Sequence, residues 1–335
     1  MNYLYELGIS VVLMVQNLGE WILVPMKVFS FIGSAEFYLL IMPFLYWSID
    51  TALGIRIGVI LLFSDTFNYY LKVGLHTGRP FWVSSQVEGY AFESSFGMPS
   101  AHAQNSAAVF GLLAATLKRR WVWVLSILLI FLIGISRLYL AVHFPQDVLL
   151  GWLIGFFLVW IFLRFEKPVT AWFSEQSLPL AVFVLFAISI SILIVGLLLR
   201  SIASGWQIPI AWLENARLAF PEEEPLNPFG FSGLLLTSGV FFGLSAGALW
   251  LSTRGGFNAQ GRWGRRVLRY LVGVVGVAIL WFGLGSILPD QGNIPGYVLS
   301  YILYAVIGIW ISALAPLVFL RFKLAEPKIN EAPAA

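Results

Sequence analysis

Four long, strongly apolar runs in the second half of the chain constrain its fold most. They lie near residues 178–199, 230–252, 268–288 and 297–320. A helix needs about 20 mainly apolar residues to cross the hydrocarbon core of a bilayer, and each run is long enough. The runs therefore predict transmembrane helices.

The composition agrees with this prediction. Hydrophobic residues make up 59% of the chain and charged residues 11%, whereas soluble domains have about 25% charged residues. No basic stripe suggests nucleic acid as a partner. The chain has no cysteine, which excludes disulfides and thiolate metal sites. We predict an all-α, polytopic membrane helix bundle in contact with the lipid bilayer.

Shorter apolar segments in the first half predict five more spans, which makes nine. Residues 7–28 include Glu20 and Lys27, so this segment either crosses the membrane, giving ten spans, or lies at the interface. The loop 72–98 is too polar for the hydrocarbon region. The five predicted spans lie at about 35–49, 53–71, 99–117, 121–141 and 146–164.

The basic residues predict the orientation of these spans. Most of them, including the turn Lys118–Arg120 and the C-terminal Arg321, fall on one side of the membrane. The side richer in Lys and Arg is usually cytoplasmic, so we expect a cytoplasmic C-terminus. Several polar groups would then share the extracytoplasmic face, namely Lys72, Arg79, His102, Arg137 and His143.

The strip from Ser136 to Asp147 interrupts two apolar stretches with polar groups. His143 and Asp147 are four residues apart, so a helix-like path would stack the carboxylate beside the imidazole. The carboxylate could then accept the Nδ1–H and leave Nε2 free to act as a nucleophile or a base. The alternative is a pair that only caps a helix.

Two further segments add groups suited to an oxyanion. Lys72 and Arg79, with six residues between them, lie at the end of a span, and Pro99-Ser100-Ala101-His102 begins the next one. A helix start presents free backbone amides that bind phosphate well. Arg137 is a cation inside a nearly charge-free span, where charge is costly and usually functional. Together these groups fit a tetrahedral oxyanion.

The three segments in this order resemble the motif of the type 2 phosphatidic acid phosphatase (PAP2) superfamily. The matching residues are Lys72-x6-Arg79-Pro80, Pro99-Ser100-Ala101-His102 and Ser136-Arg137-x5-His143-x3-Asp147. The resemblance implies a six-helix catalytic membrane domain, which we place at residues 1–170. Residues 171–335 would form an accessory domain of about four transmembrane helices with an unknown role.

The resemblance also implies a mechanism that uses no metal and no cofactor. His143 would attack phosphorus, Asp147 would orient its ring, and His102 would protonate the leaving oxygen and then activate water. The remaining motif groups would bind the substrate phosphate. The family usually has glycine at the position of Ala101, whose methyl group could crowd the phosphate. The phosphate-binding residues would be Lys72, Arg79, Ser100, Ala101 and Arg137.

The expected reaction is hydrolysis of a lipid phosphate or an isoprenyl diphosphate in a bacterial inner or plasma membrane. Phosphatidate, phosphatidylglycerol phosphate and undecaprenyl diphosphate are all candidates, and the sequence predicts no particular protein partner. Two alternatives stay open. One is a phosphotransferase that uses the same histidine, and the other is a transporter or binding protein that holds phospholipid without cleaving it.

Overall fold

The computed structural model describes residues 2–287 and 293–328, and its regular elements within these ranges are helices. The predicted all-α class is therefore confirmed. Within the same ranges, seven helices are long and apolar enough to cross a membrane, or eight if one bent pair counts as a span. The predicted run at 268–288 ends one residue outside the described part of the chain.

Two of the nine predicted spans form helices that are not among these seven. The helix in the 35–49 region has 14 residues and the helix in the 99–117 region has 17. At about 1.5 Å per residue they are roughly 21 and 26 Å long, less than the roughly 30 Å of a hydrocarbon core. The other seven predicted spans coincide with the seven long helices.

The segment left open between span and interface is a sharply bent helix pair. Helices α1 and α2 meet at an angle of 85°. Gly19 lies at the bend with a φ of 99°, a backbone conformation that glycine adopts without steric cost. The first helices of the chain are α1 (Asn2–Gln16), α2 (Leu23–Ile32), α3 (Ala35–Ser48), α4 (Thr51–Leu75) and the one-turn α5 (Pro80–Val83).

The middle of the chain contains five helices, and the first three of them carry or border the remaining motif residues. Ser100 caps the first of them, and its side chain accepts a hydrogen bond from the Ala103 amide. Pro145 begins another, where its fixed φ suits a helix start. These helices are α6 (Ala101–Leu117), α7 (Arg120–Tyr139), α8 (Pro145–Glu175), α9 (Leu178–Ile202) and α10 (Ile210–Ala219).

The last helices are α11 (Ser232–Ser252), α12 (Trp263–Ala278), α13 (Ile294–Ile309) and α14 (Ala315–Arg321). A π-helical segment, Trp310–Leu314, joins α13 to α14. Arg269 on α12 is fully buried and donates to the carbonyl oxygens of Asn258 and Ala259 at 2.8 and 2.5 Å. Arg269 therefore anchors the loop that precedes its own helix.

The chain forms two compact units. One comprises Met1–Tyr38, Phe63–Arg164 and Val195–Gly230, and the other comprises Leu39–Leu62, Phe165–Ile194 and Phe231–Ala335. The first unit has an aromatic core that includes Phe81, Trp82 and Phe144. The division of the chain into a catalytic domain at 1–170 and an accessory domain at 171–335 stays a prediction.

We expect Gly243→Ala to destabilise the second unit. A Cβ atom at Gly243 of α11 would lie 1.9 Å from the carbonyl oxygen of Ala305 on α13, a backbone atom. Overpacking of this kind costs about 1–3 kcal/mol. Gly233→Ala on the same helix is the matched control, because nothing lies within 4 Å of a Cβ atom added at Gly233. Thermal unfolding in detergent should show a lower melting temperature for Gly243→Ala alone. Equal melting temperatures would contradict the packing.

Candidate active site

Arg79 lies at the centre of the first unit's polar site and is fully buried. Its Nε donates to the Ser95 carbonyl at 2.6 Å, and its Nη1 donates to the Val142 carbonyl at 2.8 Å. Its Nη2 donates to the Ser95 hydroxyl at 3.0 Å and to the Phe96 carbonyl at 3.2 Å. Nη1 also lies 3.2 Å from Nε2 of His143. All five N–H groups of a guanidinium are thus directed at protein acceptors.

The predicted pair of His143 and Asp147 forms at the start of α8. Nδ1 of His143 lies 3.4 Å from Oδ2 of Asp147, and both side chains are 1% exposed. The same oxygen accepts the Phe144 amide at 2.9 Å, which fixes the carboxylate. Since Arg79 can only donate, its contact with Nε2 selects the tautomer with hydrogen on Nδ1. Nε2 therefore keeps its lone pair.

The surroundings of His143 favour a neutral imidazole. Burial lowers its pKa well below the ordinary value, and the nearby cations Arg79, Arg137 and Lys72 lower it further. A neutral ring is the form that can act as a nucleophile. His143 is therefore available for nucleophilic attack near neutral pH without a separate base.

Glu93, which the sequence analysis did not single out, connects two of the predicted phosphate-binding cations. Its Oε1 lies 2.5 Å from Nη2 of Arg137, and its Oε2 lies 3.6 Å from Nη2 of Arg79. Arg137 also donates to the Ser30 hydroxyl. Burial would raise the pKa of Glu93, but the guanidinium groups of Arg79 and Arg137 hold it well below its usual range. A carboxylate anion thus occupies the space between the two guanidinium groups.

Ser95 is a second residue that the sequence analysis missed. Its hydroxyl oxygen accepts from Nζ of Lys72 at 2.9 Å as well as from Arg79. Ser95, in the loop 84–100, therefore contacts both Lys72 and Arg79. The only sequence signal for Glu93 and Ser95 is that this polar loop lies between two motif segments.

The start of α6 is tied to the start of α8. The Ser100 amide donates to the Asp147 carbonyl at 2.9 Å. The Ser100 hydroxyl is fully buried, and Ala101 and His102 are half-buried. The first amides of a helix have no acceptor within the helix. His102 lies within electrostatic range of Arg137 and Glu93.

The structure therefore brings together most of the motif residues predicted from the sequence. Direct contacts join Lys72 and Arg79 through Ser95, Arg79 to His143, and His143 to Asp147. Arg137 joins the group through Glu93. Among the described residues, no group of three or more His, Asp or Glu side chains is arranged to hold a metal ion.

Two family models match the chain. Residues 53–171 match the PAP2 superfamily, and residues 235–327 match the "PAP2 superfamily phosphatase, transmembrane extension". Together they cover more than half of the chain. The chain belongs to the PAP2 superfamily. This PAP2 protein is an integral membrane protein and a phosphoric ester hydrolase.

Similarity to individual proteins covers different shares of this PAP2 protein. Lipid A 4′-phosphatase of Bacteroides thetaiotaomicron is 28% identical over 46% of this chain and 68% of its own length. Glucose-6-phosphatase 2 of Mus musculus is 27% identical over 60% of this chain, and the match covers 63% of that protein, less than two thirds. The crystal structure of a PAP2-type phosphatidylglycerolphosphate phosphatase from Bacillus subtilis is 23% identical. It has a TM-score of 0.44 and covers 50% of this chain and 89% of that one.

Proposed function

We propose that this PAP2 protein hydrolyses a lipid phosphate or an isoprenyl diphosphate through a phosphohistidine on His143, without a metal. The observation that carries the proposal is the position of the His143 ring, with Nδ1 facing Asp147 and Nε2 facing Arg79. The membrane location supports a lipid substrate, since reactant and product can both stay in the bilayer. The lipid A 4′-phosphatase relative also acts, by its name, on a lipid phosphate.

The reaction has two steps in this proposal. In the first, Nε2 of His143 attacks phosphorus, the bond to the leaving oxygen breaks, and His102 gives that oxygen a proton. In the second, His102 takes a proton from water, and the resulting hydroxide cleaves the phosphorus–nitrogen bond to release inorganic phosphate. Asp147 accepts the Nδ1–H throughout and stabilises the positive charge that develops on the ring.

Binding of the phosphate changes contacts that the cations make in the structure. Lys72, Arg79 and Arg137 stabilise the charge on its oxygens, together with the Ser100 hydroxyl and the Ala101 amide. Nη1 of Arg79 faces Nε2 of His143, so the same N–H turns toward an oxygen of the phosphoryl group under attack. Glu93 gives up its position between the two guanidinium groups, because two anions repel each other there.

Phosphate release by the purified protein in detergent with EDTA tests this proposal. The substrates are phosphatidate, phosphatidylglycerol phosphate and undecaprenyl diphosphate. We expect at least one of these substrates to yield inorganic phosphate and the lipid that has lost one phosphate group, in equal amounts. Transfer of phosphate to an added alcohol without release to water would instead show a phosphotransferase. Lipid binding without any turnover would point to the non-catalytic alternative.

The proposal places the active site at the extracytoplasmic face and the C-terminus in the cytoplasm of a bacterial inner or plasma membrane. The absence of cysteine allows a clean labelling test with single cysteines. Gln86→Cys, in the loop that carries Glu93, should react with a membrane-impermeant maleimide in intact spheroplasts. Lys118→Cys, in the basic turn, should react only after permeabilisation. The reverse pattern would overturn the orientation.

We expect Glu93→Gln to strengthen inhibition by vanadate and inorganic phosphate. The substitution removes the negative charge that competes with these anions for Arg79 and Arg137 while keeping the side-chain size. The inhibition constants should fall about tenfold, which corresponds to about 1.4 kcal/mol. Glu88→Gln in the same loop is the control, because Glu88 contacts Tyr90 rather than a cation. Weaker inhibition in Glu93→Gln would mean that Glu93 positions the guanidinium groups for phosphate.

A further inference from the structure

The bent helix pair at the start of the chain is attached to the loops around the proposed active site. The Gly78 amide, in the first motif segment, donates to the hydroxyl of Tyr5 on α1 at 3.2 Å. Gln16, at the end of α1, makes two hydrogen bonds to the backbone of Glu88. Its Nε2 donates to the Glu88 carbonyl at 2.7 Å, and its Oε1 accepts from the Glu88 amide at 3.2 Å. Helix α1 is therefore fixed to the first motif segment and to the loop 84–100.

Helix α2 lies against groups that the proposed reaction uses. The hydroxyl of Ser30 accepts a hydrogen bond from Nη1 of Arg137. A Cβ atom at Gly33, directly after the helix, would lie 3.3 Å from Cδ2 of His102 and 2.6 Å from Cγ2 of Ile133. Because glycine has no Cβ, the end of α2 can approach the His102 ring this closely. The helix thus adjoins one proposed phosphate-binding cation and the proposed leaving-group acid.

Ser30 and Glu93 bind neighbouring nitrogens of the same guanidinium group. Nη1 of Arg137 donates to Ser30, and Nη2 donates to Oε1 of Glu93 at 2.5 Å. The planar guanidinium holds these two nitrogens side by side. A serine hydroxyl has one hydrogen of its own as well as its acceptor lone pairs. Ser30 can therefore accept from Arg137 and, at the same time, donate to an anion that replaces the Glu93 carboxylate.

Ser30 comes from a part of the chain that precedes the PAP2 match. The family model matches residues 53–171, which contain the five predicted phosphate-binding residues, whereas α2 ends at Ile32. Ser30 and Lys27 are the two polar residues of this otherwise apolar helix. The motif therefore gives no indication of Ser30, and its contact with Arg137 depends on the packing of α2 against α7.

We propose that Ser30 is a further phosphate-binding residue, whose hydroxyl donates to an oxygen of the phosphoryl group bound at Arg137. This inference rests on the proposed phosphatase function and adds a group from α2 to its site. When the phosphate displaces Glu93, the Ser30 hydroxyl keeps its contact with Nη1 and gives its hydrogen to the oxygen that Nη2 binds. A hydrogen bond to a charged acceptor is stronger than one between neutral groups. Its loss should therefore weaken the binding of any phosphate-like anion, whatever the organic part of the substrate.

The test compares Ser30→Ala, which removes the hydroxyl, with Ser30→Thr, which keeps it. Vanadate affinity is measured from the rise in melting temperature in detergent and from inhibition of p-nitrophenyl phosphate hydrolysis. Ser30→Ala should raise both constants roughly tenfold, and Ser30→Thr should stay within about threefold of the wild type. Ser10→Ala is the control, because the exposed Ser10 of α1 donates to the Glu6 carbonyl of its own helix. It should change neither constant.

A double variant separates binding by Ser30 from an effect that acts only through Arg137. Ser30→Ala should weaken vanadate binding by a further factor of about three or more when it is added to Arg137→Lys. A residue that only orients the guanidinium would add nothing once the arginine is replaced.

The inference is overturned if Ser30→Ala binds vanadate like the wild type, if Ser30→Thr loses as much affinity as Ser30→Ala, or if the double variant equals Arg137→Lys. A wild type that releases no phosphate from any ester would instead overturn the proposed function. The thermal shift needs no turnover, so it would still test Ser30 in that case.

Discussion

His143→Asn should reduce phosphate release by about 10⁴-fold or more, a loss typical of a missing nucleophile. Asparagine resembles the proximal half of the imidazole but cannot form the phosphorus–nitrogen bond at the Nε2 position. His143 is buried between Asp147 and Arg79, so water has no equivalent place from which to attack. The measurement is rapid quenching of the wild type and the variant with a ³²P-labelled substrate, followed by detection of acid-labile phosphohistidine.

The wild type should carry the label within one turnover, and His143→Asn should carry none. His102→Asn separates the roles of the two histidines. With p-nitrophenyl phosphate, whose leaving group needs little protonation, His102→Asn should still form the phosphoenzyme. The phosphoenzyme should then accumulate, because the group that activates water is missing. Label on His143→Asn, or none on His102→Asn, would contradict the proposed assignment.

Arg79→Lys should lower kcat/KM by about 10³-fold even though it keeps the positive charge. Arg79 uses five N–H groups in a planar arrangement to hold Ser95, Phe96, Val142 and His143 at once. Lysine offers three donors from a single atom and cannot reproduce this geometry. The variant should lose both the contact with the nucleophile and the position of the loop. Steady-state kinetics and thermal unfolding in detergent measure the two losses.

Arg120→Lys is the control for Arg79→Lys, because Arg120 lies exposed at the start of α7. It should leave kcat/KM and the melting temperature unchanged. Arg79→Lys should also show a lower melting temperature, since the loop 84–100 loses its attachment to the turn before α8. A kcat/KM within threefold of the wild type would mean that only the charge of Arg79 matters.

The sequence alone determined the class of fold and the family of the protein. Apolar runs near 178–199 and 297–320 are local properties, and any run of that length must be helical to cross a bilayer. The spacing of His143 and Asp147 is also local, because four residues bring two side chains together at a helix start. The order of the three segments was enough to identify the family.

The hydrophobicity of the sequence did not predict where each helix begins and ends, and the number of long helices depends on those ends. The segment 35–49 is apolar enough for a span, but α3 comprises only Ala35–Ser48. The segment at 99–117 begins with a polar stretch, and α6 starts only after the cap at Ser100. Capping and chain reversal set where these helices begin and end, whereas hydropathy reports only on composition.

Only the tertiary structure decided which groups surround the motif residues. Glu93 and Ser95 lie in a loop without periodicity, so their contacts with Arg79, Arg137 and Lys72 depend on the path of that loop. Phe220 lies far from Phe92 along the chain, yet their rings pack edge to face with centroids 5.6 Å apart. Local sequence patterns predict helices and the side chains that are neighbours on them. Contacts between distant segments form only when the whole chain packs.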